Sequence, residues 1–150
     1  GWTIAIASNQ SGISRGLISI EALNAIHGKL IKQLAALGAQ VDGIFFCPHT
    51  AEVGCDCRKP KAGLLHEIAR RFNTSLIGVP LVGDALRDLQ AAALVEASPY
   101  LVRTGKGEKT LALGGLPNET QVFANLASVA QFLLKKPTQT EGGDHAHPCA

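Results

Sequence analysis

Short, unbroken apolar runs alternate along this chain with segments whose apolar residues recur every three or four positions. The run "WTIAIAS" (residues 2–8) stops at the polar stretch "NQSGISRG". Ser19 then offers an N-cap and Glu21 an acid in the first turn; Leu23, Ile26, Leu30, Leu34 and Leu37 mark one helical face, and Gly38 suits the position just past the helix end. The same alternation continues with a strand over 41–46 and a helix over 63–72 that turns Leu64, Leu65, Ile68 and Phe72 inward. A strand over 79–84, a short helix over 86–95, a strand over 99–105, and a short strand or turn leading into a helix over 122–136 complete it. Strands that read as continuous apolar runs between helices predict a parallel α/β sheet covered on both faces. Ligand sites in such sheets lie at the carboxyl ends of the strands. Ser8, Asn9, Cys47 and Asp84 all fall at such ends and are read as one site region. Residues 1–135 are expected to form one folded domain, and 136–150, which lack apolar periodicity, a mobile tail.

The loop after the second strand, "CPHTAEVGCDCRKP", holds three of the four cysteines. Cys47 and His49 are one residue apart, as are Cys55 and Cys57. In extended backbone, side chains two positions apart point the same way, so each pair can grip a metal from one side. One imidazole and three thiolates make a closed, tetrahedral set suited to structural Zn²⁺ rather than to a catalytic ion. A disulfide between Cys55 and Cys57 would close a strained ring, and any other pairing leaves a cysteine over; unconnected free thiols would leave the paired spacing unexplained. Thiolate ligands imply a reducing compartment. Cys149, His145 and His147 lie in the tail and read as incidental.

The remaining polar groups at the strand ends have two readings each. Asp84 and Asp88 are one helical turn apart and can hold Mg²⁺, or can complement a helix N-terminus. The stretch Ser8, Asn9, Gln10, Ser11 can cradle phosphate oxygens or simply turn the chain. Lys59 can neutralise a phosphoryl group and Arg58 can grasp a second anion, or both are solvated surface. A formal charge of +2, with scattered cations, one Trp and one Tyr, speaks against a nucleic-acid partner. No apolar run approaches the ~20 residues that span a bilayer, which speaks against a membrane partner. The opening residues carry neither a basic leader nor a small-residue cleavage site, and the absence of any Met is compatible with an internal piece of a longer protein.

In order, "IASNQSGISRG", "CPH…CDCRKPKAGLL", "LVGDALRDLQAA" and "LVRTGKG" resemble the haloacid-dehalogenase-like phosphatases of the D-glycero-D-manno-heptose 1,7-bisphosphate type, across residues 1–135. Histidinol-phosphate phosphatases are relatives that share the metal loop. The resemblance implies a Rossmann-like three-layer parallel sheet and hydrolysis of a sugar phosphate monoester through an aspartyl-phosphate. Mg²⁺ and Zn²⁺ are the implied cofactors, and a monomer in the bacterial cytoplasm, serving surface-polysaccharide precursor synthesis, the implied setting. It implies that Ser8 and Lys59 stabilise the phosphoryl group. Asp84 ligates Mg²⁺; Cys47, His49, Cys55 and Cys57 hold zinc. Ser8, Asn9, Gln10, Ser11, Arg58, Lys59 and Ala85 contact substrate.

That family's D-x-D-G-[TV] motif, which supplies nucleophile and general acid/base, occurs nowhere in the sequence. The first strand here corresponds to the family's second. The expectation is a phosphatase portion whose nucleophile strand lies upstream and would sit between the strands ending at Ser8 and Asp84. The alternatives are a histidinol-phosphate phosphatase and a non-catalytic, zinc-stabilised fragment.

Overall fold

The computed structural model describes residues 1–135; the expected tail, with its two histidines and Cys149, lies outside the described residues. Strand β1 (Ala5–Asn9) leads through helix α1 (Ile20–Ala36) to β2 (Gly43–Cys47), and a loop with one 3-10 turn (Ala51–Val53) precedes α2 (Gly63–Phe72). Then come β3 (Pro80–Gly83), α3 (Leu86–Leu94), β4 (Ser98–Val102), α4 (Gly107–Leu113), β5 (Gln121–Phe123) and α5 (Leu126–Lys135). Every strand pairing is parallel, as continuous apolar runs require. β1 lies against β2 in register from Ala5 opposite Gly43 to Asn9 opposite Cys47. β3, β4 and β5 form a second sheet in that order, so among the described residues β1 and β3 each pair on one side only.

The two sheets are joined by their side chains. Leu65 and Ile68 of α2 and Ala91 of α3 form one core cluster, against which Ala7 and Phe45 of the first sheet and Leu81 of the second all pack. The opposite face of the second sheet is covered by α5, where Tyr100, Val102 and Val129 pack with Val82, Phe123 and Phe132. Successive strand residues face opposite ways. Leu81 therefore meets α2 and α3 while Val82 meets α5. In the first sheet Phe45 meets Phe72 of α2, and Phe46 lies 5.9 Å from the His27 ring of α1. Both faces are covered, and the layers are helix, sheet, helix.

Helix α1 begins where expected, with Ser19 Oγ accepting from the Ala22 N–H at 3.1 Å, and Gly38 past its end takes φ 70°. Its inward set is narrower than the periodicity suggested. Leu23 is buried, Leu30 and Leu34 are partly so, but Ile26 and Leu37 are 55% and 83% exposed. At 100° per residue Ile26 points roughly 70° away from the mean direction of the buried stripe, and Leu37 lies beyond the last turn. α2 has the predicted bounds. α4 was not expected: seven residues carrying two buried positions, Gly107 and Thr110, leave too little period to read.

Candidate active site and metal cluster

β2 ends by delivering Cys47, fully buried, to the start of the loop. Its Sγ lies 3.6 Å from His49 Nδ1, 3.6 Å from Cys55 Sγ and 3.1 Å from Cys57 Sγ. Cys57 Sγ is also 3.4 Å from the same imidazole nitrogen and 3.5 Å from Cys55 Sγ. All four ligand atoms lie within 4.8 Å of one another, and the three cysteines are free of disulfides. Around a tetrahedral zinc with Zn–S of about 2.3 Å and Zn–N of about 2.0–2.1 Å, the edges come to about 3.8 Å between sulfurs and about 3.5 Å from sulfur to nitrogen. The cluster has those dimensions, slightly contracted, so the four residues can hold a metal ion. Burial, with the neighbouring sulfurs of Cys47 and Cys55, pushes the Cys57 thiol up to about 12. Burial also acts to raise Cys55, but hydrogen bonds from Cys57, the Arg58 backbone, Cys47 and His49 outweigh it and bring that thiol down to about 7. Thiolates this close repel one another unless a cation sits among them.

Two residues past Cys57 the chain reaches Lys59, only 8% exposed. Its ammonium donates to the Ala7 carbonyl of β1 at 2.7 Å and meets Asp88 Oδ1 of α3 at 2.7 Å. Its peptide is held as well: the Asn9 amide donates from Nδ2 to the Lys59 carbonyl at 3.0 Å, and Asn9 Oδ1 accepts from the Lys59 N–H at 3.1 Å. Lys59 thus ties the first sheet to the helix that follows β3. Asp88 is 7% exposed, and its second oxygen accepts from the Ala85 N–H at 3.2 Å. Gly83 makes room for this carboxylate: a Cβ there would overlap the Asp88 side chain. Both Asp88 oxygens are thus engaged by protein groups, and the bond from the Ala85 N–H at the start of α3 is the helix-terminus role that the sequence also offered.

Asp84 turns elsewhere. Its Oδ2 accepts from the Lys106 N–H at 2.8 Å, and its carbonyl accepts from the Thr110 hydroxyl at 2.7 Å. Gly105, at φ 60°, must be glycine both for its left-handed backbone and because a Cβ would strike Asp84 Oδ2. Lys106 and Thr110 had no signal in the sequence, since they lie 22 and 26 residues from Asp84 and join it only through β4 and α4. Asp84 opens on a cavity of ≈ 300 Å³ with Val82, Val102, Thr104 and Leu126. A second cavity of ≈ 180 Å³ is lined by Thr50, Gly54, Arg58, Lys59 and Lys61. Arg58 is steadied at its edge by donating to the His49 carbonyl at 3.2 Å.

Of the other expected residues, Ser8 ends one position from the carbonyl that takes the Lys59 ammonium, and its Oγ accepts from Gln10 Nε2 at 2.7 Å. Gln10 and Asn9 therefore spend side-chain groups on protein partners. Ser11 accepts through its carbonyl from the Arg15 N–H. Ala85 is buried, with its N–H given to the Asp88 carboxylate and its carbonyl to the Asp88 N–H.

A buried lysine at the end of one parallel strand, with an aspartate just past the end of another, places a cation and a carboxylate where parallel sheets bind their ligands. The HAD-hydrolase-like family profile (Hydrolase_like) matches residues 56–129. The chain belongs to the HAD-hydrolase-like phosphatase family and is a phosphoric monoester hydrolase by class. Within that family it is 55% identical over 135 residues to the D-glycero-beta-D-manno-heptose-1,7-bisphosphate 7-phosphatase of Bordetella bronchiseptica, covering 90% of this chain and 75% of the relative. It is 47% identical to the enzyme of the same name from Pseudomonas aeruginosa, covering 90% and 75%. The crystal structure of D,D-heptose 1,7-bisphosphate phosphatase from B. bronchiseptica, complexed with magnesium and phosphate, superposes with a TM-score of 0.87 at 56% identity, covering 89% of this chain and 74% of that one. This likeness bears out the haloacid-dehalogenase-like fold expected from the motifs.

Proposed function

We propose that this chain removes the 7-phosphate of D-glycero-β-D-manno-heptose 1,7-bisphosphate. The observation that carries the reading is the double fixation of Lys59, whose ammonium is buried beside Ser8 and joined to the helix that starts after Asp84. Such transfers depend on positioning and on neutralising charge at the phosphoryl oxygens. Lys59 and the Ser8 hydroxyl supply that from β1 and the metal loop. Asp84, at the end of β3, holds Mg²⁺, which when bound adds positive charge at the same oxygens. Zinc at Cys47, His49, Cys55 and Cys57 keeps the loop folded, so that Arg58 and Lys59 stay at the site's edge. Arg58 and Lys61 line the smaller cavity and suit a second phosphate, which favours a bisphosphate. Ser11 completes the substrate contacts.

The nucleophile of this reading is an aspartate in a D-x-D-G-[TV] segment that these 150 residues do not contain. Its strand belongs between β1 and β3, whose facing edges are unpaired among the described residues. No helix among the described residues is long and apolar enough to cross a membrane. Three thiols kept free for a metal suit a reducing compartment, and the reading puts the enzyme in the cytoplasm as a monomer.

The test is Mg²⁺-dependent phosphate release by the chain joined to the segment that precedes it in its reading frame. A kcat/KM on the heptose bisphosphate about tenfold or more above that on histidinol phosphate is expected. A preference for histidinol phosphate, or no release from either, overturns the reading.

A further inference from the structure

Asn9 stands at the last position of β1, part-buried, and both ends of its amide are spent on a single residue fifty positions away. One hydrogen bond donated to the Lys59 carbonyl and one accepted from the Lys59 N–H form a two-point clasp, the side-chain equivalent of one rung of strand pairing. Only an amide of this length satisfies it. Asp would set a carboxylate oxygen against the Lys59 carbonyl, and Ala would leave both peptide groups of a largely buried residue without partners.

The clasp has a directional consequence. The Lys59 ammonium is held by the Ala7 carbonyl and by Asp88, but these act on the tip of a flexible four-carbon stem. The root of that stem is fixed by Asn9. On the other side of Lys59 the chain runs through Arg58 to Cys57, a member of the metal cluster. Asn9 therefore sits where the strand that carries Ser8 meets the loop that carries the cluster. A second bond ties the same two segments, from the Gln10 N–H to the Cys47 carbonyl at 2.7 Å.

We infer that the Asn9 side chain is a positioning group that acts through Lys59 rather than on the substrate. The structural part stands independently of the proposed reaction; the kinetic part rests on it.

The experiment compares the full protein with its Asn9→Ala, Asn9→Asp and Asn24→Ala variants, the last a control at an exposed asparagine of α1. Two readouts need no turnover. Exchange of the Lys59 amide hydrogen is expected to quicken about tenfold or more in Asn9→Ala. Acylation of the Lys59 amine by a succinimidyl ester, read by mass spectrometry, is expected to quicken in the same variant. Asn9→Asp, which keeps the acceptor, should fall between wild type and Asn9→Ala in amide exchange, and Asn24→Ala should match wild type in both. Unchanged exchange and acylation in Asn9→Ala overturn the inference whether or not the protein turns over any phosphate ester. With the heptose bisphosphate, Asn9→Ala should lower kcat about tenfold while KM stays within about twofold. That loss should disappear in a Lys59→Met background. A raised KM with kcat kept, or an equal loss in the Lys59→Met background, assigns Asn9 to the substrate and overturns the inference. Absence of turnover in the wild type would defeat the proposed reaction and leave the exchange and acylation results to decide the role of Asn9.

Discussion

Lys59 and Asp88 are each about nine-tenths buried and 2.7 Å apart, so neither charge can be removed alone without stranding the other. Breaking such a pair costs about 3–5 kcal/mol, whereas replacing both partners by apolar groups is far milder. Asp88→Ala is therefore expected to lower the urea midpoint of unfolding strongly, and the double variant Lys59→Met, Asp88→Leu to recover most of that loss. Sequence reading singled out Lys59 from its place beside the cysteines, and it gave Asp88 two readings, a metal ligand or the complement of a helix N-terminus, of which the bond from the Ala85 N–H shows the second. The spacing of Asp84 and Asp88 on one helical turn was legible; the lysine that claims Asp88, arriving from 29 positions upstream, was not. Asn9 and Gln10 show the same limit. Their amides were visible as polar groups at a strand end, but their partners, Lys59 and Ser8, follow from the packed fold.

The loop between β2 and α2 contains a single turn of 3-10 helix, three residues long, and brings the ligand atoms of four Cys and His side chains within 4.8 Å of one another. Its Cys47, His49, Cys55 and Cys57 were legible as one group from their paired spacing, and the structure gathers them. Removal of the metal by a chelator is expected to open the loop. Protease cleavage should then fall within residues 48–62, all three thiols should become reactive, and Tm should drop by several degrees. The start of α3 depends on a different element. Gly83→Ala would place a Cβ against Asp88, and a loss of about 1–3 kcal/mol is expected, with Lys59 amine acylation faster than in wild type. The bounds of α2 could be read closely, because four apolar residues at helical spacing sit between a glycine and a residue in the left-handed region, Asn73 at φ 48°. α1 showed the opposite: its apolar residues outnumber the positions its sheet can cover, so periodicity overstated its buried face.

At the scale of the molecule, two parallel sheets share one core through Leu65, Ile68 and Ala91, and one ion pair through Lys59 and Asp88. The alternation of strands and helices disclosed the parallel class, and the family resemblance put the break between the strands ending at Ser8 and Asp84, where β1 and β3 each pair on one side only among the described residues. Each sheet carries its own optical probe, since the single Trp, Trp2, lies just before β1 and the single Tyr, Tyr100, lies in β4. Urea unfolding followed by Trp2 fluorescence and by Tyr100 near-ultraviolet dichroism is expected to give coincident transitions, and Leu65→Ala to shift both together by about 2–5 kcal/mol. Separate midpoints would show that the shared core does not couple the sheets. The seam between the sheets also coincides with one place in the covalent chain. Every residue of β1, β2 and the metal cluster precedes the exposed stretch 73–75, and every residue of β3, β4 and β5 follows it. A nick there would divide the protein into two pieces, each keeping one of the two described sheets, and their reunion would show as renewed protection of the Lys59 amine, whose partner Asp88 is carried by the second piece. The molecule is in that sense already drawn as a split reporter.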